Sequence, residues 1–388
     1  MWSPDSTALA NWNGGKIVPK TVLYYYDGPT VFTADVGLTE FLFYKVDEDT
    51  NSDLFLIAPT MPKIIGALKE KSLSVRGALA WASDFWIVDV APDQNVRKCW
   101  KVALSDLEDD FLPSSGLAVE PLKSRAADFV EQALSFFSAR FTGEELTESR
   151  IPFLRFKNIV DAAYGSFKKI FPAPVLNARS LARDLDFDLF QPKFSSLIIA
   201  IDRPRIDVEG ARRHSKTEAP IDVEAFARGF ETNRREFFER MSELLTEAEK
   251  GEIKKSYAVE HFDTLDQVNE IVPTSSNEID RVEFRSQAPS LMPLELDDRL
   301  GDKFKAAHRI AEFAARHITG VVVEINEASG TMVIRDVTAR QVTCAFDRPT
   351  YDGLSLSIGD RIRVHGAFVR RKRRDFIQVD SPPQLIQR

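Results

Sequence analysis

A chain of 388 residues, 44% apolar and 28% charged, has the composition of a globular protein with length for two or three domains, which excludes wholesale disorder. No run approaches the ~18–20 apolar residues of a membrane-spanning helix, and the distant cysteines Cys99 and Cys344 exclude a disulfide framework and a zinc finger. The net charge of −8, from 51 basic and 59 acidic residues, is uneven: Ile318–Arg388 holds 11 Lys/Arg against 8 Asp/Glu, or +3, leaving −11 on the rest. A basic end on an acidic body directs any anionic partner to that end.

The first residues, MWSPDSTALANWNGGK, lack the basic start and apolar block of a secretory signal, so a cytoplasmic protein without membrane association is expected. Thr21–Asp27 (TVLYYYD) is β-branched and aromatic and predicts a strand, broken by Asp27-Gly28-Pro29. Val31–Asp35, Phe41–Val46 and Asp53–Ala58 predict further strands, with an acidic loop over Asp47–Asp53. Pro62 suits the first position of a helix continuing over Lys63–Leu73, and Asp84–Val90 and Val96–Leu104 return to strand. A mixed sheet with a helix is therefore expected for residues 1–115.

A helix-rich α+β middle domain is expected over 116–317. Phe129, Val130, Leu134, Phe136, Phe137 and Phe141 fall largely at helical spacing and predict a helix over Ala126–Phe141. A second helix is predicted over Phe153–Ala163, an extended stretch from Gly165 to Phe171, a helix over Arg179–Leu185 and a strand over Ser195–Asp202. After a polar loop with Arg212, Arg213, His214 and Lys216, Asp222 suits the N-cap of the longest helix, whose apolar stripe is Val223, Phe226, Phe230, Phe237, Met241 and Leu244. Arg281–Arg285 predicts a short strand and Lys303–His317 a helix.

Residues 318–388 carry the clearest pattern. Gly320–Glu327, Thr331–Val337, Arg340–Phe346, Gly359–Arg370 and Asp375–Asp380 read as five short strands, with room for one helical turn between the third and fourth. This predicts a small closed barrel of the oligonucleotide-binding type, an SH3-like barrel being the near alternative. The whole chain is thus expected to be α+β.

Arg370, Arg371, Lys372, Arg373 and Arg374 form a run of five cations between two strands, predicted to crown a hairpin tip. Their mutual repulsion would be relieved by an anion, and arginines bind phosphate with paired donors or lie flat on bases. Arg361 and Arg363 alternate on the preceding strand and share one face, together with His365. A solvated hairpin guarded by charge is the plain alternative. Phe346, Tyr351, Phe368 and Phe376 are the aromatics available for stacking, and most read as core.

Catalytic signatures are sparse. No glycine-rich phosphate loop and no Gly-x-Ser-x-Gly elbow is present. His308 and His317, nine apart on one predicted helix, would point to opposite faces, which disfavours a metal pair. Asp202, Asp207, Glu209 and Glu252-Ile253-Lys254 loosely follow the order of a metal-dependent nuclease core, with poor spacing. Cys99 and Cys344 read as buried, inert thiols. No cofactor and no resident metal is expected.

Tyr25–Val46, YYDGPTVFTADVGLTEFLFYKV, followed by FLIAPTMPKIIGALKEKSLSVRGAL, resembles an uncharacterised bacterial domain family that pairs a YYDGP-type strand with a short helix ending Leu-Ser-x-Arg, here Leu73-Ser74-Val75-Arg76. The resemblance covers about the first 100 residues, with the small barrel appended at the far end. It implies an accessory component of a bacterial multi-gene system, antiphage and mobile-element loci included, and carries no catalytic residues. The combined expectation is a non-catalytic interaction protein that binds nucleic acid or another anionic partner through the barrel hairpin and a protein partner through its body. A nuclease-like effector with its site in the middle domain, and a regulator or antitoxin docking on an acidic protein, are the alternatives.

Overall fold

Two β-rich stretches at opposite ends of the chain dominate the computed structural model, which describes residues 12, 14–103, 107, 111–120, 125–146, 151–172, 185–190, 196–209, 223–275, 279–312, 314–336, 340–369 and 374–387. The chain divides into two compact units, Met1–Phe137 with Arg285–Pro293, and Ser138–Phe284 with Leu294–Arg388.

In the first unit, β1 (Thr21–Tyr25), β2 (Pro29–Val36), β3 (Thr39–Asp49), β4 (Ser52–Pro59), β5 (Phe85–Val90) and β6 (Val96–Val102) form one sheet in sequential order. Every strand pairing in it is antiparallel, where a mixed sheet was expected, because each strand lies beside its neighbour in sequence. The first turn is made by Asp27 (φ 47°) and Gly28 (φ 117°). No acidic loop intervenes at 47–53. The strands run through it, Asp49 facing Ser52, and Lys45 holds Glu48 and Asp53 at 2.6 and 2.8 Å.

Strand periodicity gives this sheet two buried faces. Leu54, Leu56 and Ala58 of β4 face the helical side, whereas Phe55 and Ile57 face an aromatic cluster in which Phe32 stacks on Phe43 at 4.8 Å. Pro62 does open α1 (Pro62–Lys69), but the helix stops short of Leu73. Lys71 turns left-handed (φ 63°), and Ser74 caps a separate helix, α2 (Val75–Ala80), by accepting from the Gly77 amide at 2.9 Å. The Ser74 hydroxyl also donates to Asp128 Oδ1 at 2.6 Å, and the same carboxylate accepts from Ser115 and from the Gly116 amide. The Leu-Ser-x-Arg motif is thus physically a buried leucine followed by a helix cap.

Only Val130–Leu134 (α3) is helical within the expected helix 126–141. Ser135 is extended, and β7 (Phe137–Thr142) follows. Phe136, Phe137, Ser138, Ala139 and Phe141 are all buried, the mark of a central strand covered on both faces.

The second unit builds a four-stranded sheet in the order β12 (Leu294–Asp297), β11 (Arg281–Arg285), β7, β9 (Leu197–Ile201), with a two-stranded pair of β8 (Leu185–Asp186) and β10 (Arg205–Ile206). Helix α4 (Phe153–Ile170) runs through Gly165-Ser166-Phe167, which were expected to be extended. Its buried Ile159, Ala163, Phe167 and Ile170 keep helical spacing, and that burial outweighs the cost of about 1 kcal/mol for one internal glycine. The predicted helix over 179–185 lies outside the described residues except for Leu185, which begins β8. The longest helix, α5 (Val223–Lys250), buries Phe226, Phe230, Phe237, Met241 and Leu244 as read, while Val223 is exposed. The loop with Arg212, Arg213, His214 and Lys216, and Asp222, lies outside the described residues.

Short helices α6 (Lys255–Glu260) and α7 (Phe262–Val268) precede α8 (Asp298–Glu312). The chain is already in β13 (Ala315–Asn326) at His317, which was expected on the helix. A β-branched run, Val321-Val322-Val323, and pairing with a later strand decide this.

β13, β14 (Thr331–Asp336), β15 (Gln341–Ala345), β16 (Arg361–Val369) and β17 (Asp375–Val379) close a five-stranded C-terminal barrel in the order β13-β14-β15-β17-β16, β16 pairing back to β13. β15 and β17 are parallel and the other pairs antiparallel. The helical turn between the third and fourth strands is α9 (Arg348–Asp352), capped by Asp347, and β18 (Gln384–Gln387) adds to β16. Val322, Met332, Ile334, Val342, Cys344, Ile362, Val364 and Ile377 fill the interior.

At Gly366 a Cβ would lie 1.9 Å from the Gln378 carbonyl oxygen. Gly366→Ala should destabilise the protein by about 1–3 kcal/mol, read as a lowered urea midpoint by circular dichroism; an unchanged midpoint would contradict this packing. Burial pushes the Cys99 thiol up to about 11 and the Cys344 thiol up to about 12. These folded values exceed those of free thiols, so their stabilising contribution is full at neutral pH and fades as pH rises through the alkaline range. An aromatic disulfide reagent at about pH 8 should label both cysteines in denaturant and neither in the native protein.

Candidate nucleic-acid interface

The outer wall of β13 and β16 is set by strand alternation. Arg361 and Arg363 are exposed while Ile362 and Val364 between them are buried. Register pairs Arg361 with Val321, Arg363 with Thr319, and His365 with His317. The Arg363 Nε donates to Thr319 Oγ1 at 3.3 Å. His365 Nδ1 lies 2.8 Å from Asp380 Oδ1, and its ring centroid is 4.5 Å from that of His317. The hydrogen bond to His365 holds the Asp380 carboxyl below the usual carboxylate range. Among the described residues, no carboxylate lies within ion-pair distance of Arg361 or Arg363.

Arg370, Arg371, Lys372 and Arg373 lie outside the described residues. Arg374 is described, and it departs from the expectation of a cation facing solvent alone: its Nη1 donates to Glu324 Oε2 at 3.1 Å. Register explains the reach. Glu324 pairs with Val333, Val333 with Thr343, and Thr343 with Phe376, so the four form one row across β13, β14, β15 and β17. Arg374 lies two residues before Phe376, outside the row itself, and contacts Glu324 at the row's far end. Phe376 in this row is half-buried, whereas Phe346, Tyr351 and Phe368 are buried.

Directly after the cation run, Asp375 is 1% exposed. Arg340, at the entrance to β15, grips it with both arms of the fork, Nε to Oδ2 at 2.8 Å and Nη2 to Oδ1 at 2.9 Å. Sequence reasoning missed this pair. Its partners are 35 residues apart, and the Asp follows cations that obscure it; the signal is an acid directly abutting a basic run.

A second aromatic feature joins the barrel to the helices of its own unit. The Arg316 guanidinium stacks between Phe262 of α7 and Phe368 of β16, 3.7 and 4.5 Å from their ring centroids. His308 stacks on Phe262 with ring centroids 5.2 Å apart.

The carboxylates considered for a nuclease core do not gather. Asp202 caps the Arg203 amide, Asp207 accepts from the Glu209 amide, and Glu252 follows α5 two residues before Lys254, the N-cap of α6. Among the described residues, no three His, Cys, Asp or Glu side chains stand together as a metal site. Among the described residues, no helix is long and apolar enough to cross a membrane.

Comparison with known proteins finds no matching family model, no matching curated protein and no matching solved structure. The barrel's own geometry therefore carries the functional argument.

Arg340→Ala leaves a buried carboxylate without its fork and should cost about 3 kcal/mol of stability, whereas Arg361→Ala and Arg363→Ala should stay within about 0.5 kcal/mol. Thermal denaturation of the three variants checks this; equal losses would contradict it.

Proposed function

We propose that the barrel is of the oligonucleotide-binding type and that the protein binds nucleic acid through it, without catalysis of its own, as an accessory member of a bacterial multi-component system. The observation that carries this is the strand order. Numbered along the barrel it is 1-2-3-5-4-1, with the third and fifth strands parallel and a helical turn after the third. Barrels of this type take oligonucleotides on the face of strands two and three, flanked by the connections between strands one and two and between strands four and five. In this chain the second of those connections is the sequence Arg370-Arg371-Lys372-Arg373-Arg374.

The outward residues of strands two and three add Arg335 and Gln341, which pair in register, beside the half-buried Phe376. One partly accessible aromatic among cations supports phosphate contact with limited stacking, hence little sequence preference. Arg361 and Arg363 both lie on the fourth strand, beside the first, and extend the positive surface around the barrel. The accessory role rests on the resemblance of the first 100 residues.

Fluorescence anisotropy with short single- and double-stranded oligonucleotides tests the proposal. Affinity should fall steeply with salt, with a log–log slope near −0.7 per neutralised phosphate on a single strand. Replacing residues 370–374 by glutamine should remove most of the binding and flatten that slope by roughly 3, with the melting curve unchanged. Oligonucleotide affinity that survives the replacement intact refutes the basic connection as the grip.

A further inference from the structure

The first unit contains a cavity of about 410 Å³, remote in sequence from the barrel and independent of the nucleic-acid reading. Its volume lies within the roughly 300–1,000 Å³ of small-molecule sites. One wall is the segment 285–293. This segment connects the paired strands β11 and β12, yet it is far longer than a hairpin turn needs. It supplies Leu291 and Met292, bracketed by Pro289 and Pro293, an apolar wall whose backbone is restrained before any ligand arrives. Met292 is 56% exposed, an apolar side chain left in solvent at the cavity's edge.

The opposite rim is cationic and conformationally unusual. Among the described residues, four non-glycine positions have positive φ: Asp27, Lys71, Gln94 and Arg125. Two of them, Lys71 and Arg125, border this one cavity. Asp is a common occupant of left-handed backbone, but Lys and Arg are not, and such conformations concentrate at ligand clamps. A third cation, Arg285, joins them, its Nη1 donating to the Arg125 carbonyl at 2.6 Å and fixing the apolar segment to the cationic rim. Among the described residues, Glu70 is the only carboxylate on the lining, and Lys71 is partly balanced by Glu120. Buried Gln132 of α3 lies on the same lining and brings an amide to it.

We propose that this cavity binds a small organic anion, with its phosphate or carboxylate group at Arg125, Arg285 and Lys71 and its flat or apolar body against Leu291 and Met292. Guanidinium forks on one side and an apolar wall on the other select for both properties in one molecule. A bare inorganic anion lacks the apolar half and an uncharged aromatic lacks the other.

Isothermal titration of the full chain with phenyl phosphate, benzoate, benzyl alcohol and inorganic phosphate tests the assignment. Phenyl phosphate or benzoate should bind with a Kd below about 1 mM, and whichever is tighter identifies the anionic group. Benzyl alcohol and inorganic phosphate should bind at least about tenfold more weakly. Arg125→Ala and Arg285→Ala should each weaken binding about tenfold. Because those residues also hold the rim together, Met292→Trp provides the second arm: an exposed position tolerates the larger ring, which crowds the apolar wall at the cavity's edge and weakens aryl-anion binding at least about tenfold with the melting temperature unchanged. No saturable binding by either aryl anion overturns the proposal, as does a Met292→Trp protein that titrates like the parent. Oligonucleotide affinity should be unchanged in all three variants, which separates this outcome from that of the barrel.

Discussion

A carboxylate withdrawn from water beneath a guanidinium fork governs the C-terminal barrel. Asp375 stands where the fifth strand begins and Arg340 where the third begins, and these are the two strands that run parallel. Parallel neighbours cannot be joined by a tight turn, so their alignment must be fixed by something other than the connection. A bidentate pair at the entrance does so: it sets the register at the first residues of the pairing, from which Val342 to Ala345 follow. Burial of the acid makes the alternative costly, because a shifted strand would strand a charge in the interior.

The pair also explains how a dense run of cations can be tolerated beside a packed wall. The chain is anchored at Asp375 immediately after its most strongly repelling segment, and Arg374 is held across the outer face by Glu324. On the opposite side, Arg316 stacked between Phe262 and Phe368 ties the barrel to the helices of the second unit. Arginine suits both tasks because its planar group serves equally as a fork for carboxylate and as a plate between rings.

The barrel was legible because each strand carries a short alternating pattern between turn residues, and β18, a four-residue strand after two prolines, was the piece that escaped. The individual strands of the first unit are legible for the same reason, but their wholly antiparallel pairing is not, since a mixed sheet is the expectation from sequence. The middle was read less well. Phe137 and Phe141 fit a helix by spacing but lie in a strand buried on both faces, with buried Phe136 just before it, where periodicity carries no signal. Gly165 reads in the sequence as a break although the helix continues through it, and His317 reads as part of a helix that ends before it. Of the candidate site, the shared face of Arg361 and Arg363 followed from alternation alone. Glu324, Arg340 and Asp375 did not, since their relation depends on a closed barrel that brings distant positions together. The cationic rim of the first unit was equally hidden, because left-handed backbone at Lys71 and Arg125 has no sequence mark such as glycine or asparagine.

The division of the first unit into 1–137 and 285–293 has a consequence for how the molecule is made. A chain emerging from the ribosome can zip its six sequential strands early, since each contact is local. Asp128 then docks α2 by reaching back to Ser74. The last piece of that unit is supplied only after nearly the entire middle of the chain has been translated, so the first unit must wait, unfinished and with Leu73 and Ala127 already bridged, for a segment encoded far downstream. A nascent chain stalled short of Pro293 would hold a preassembled sheet and an open flank.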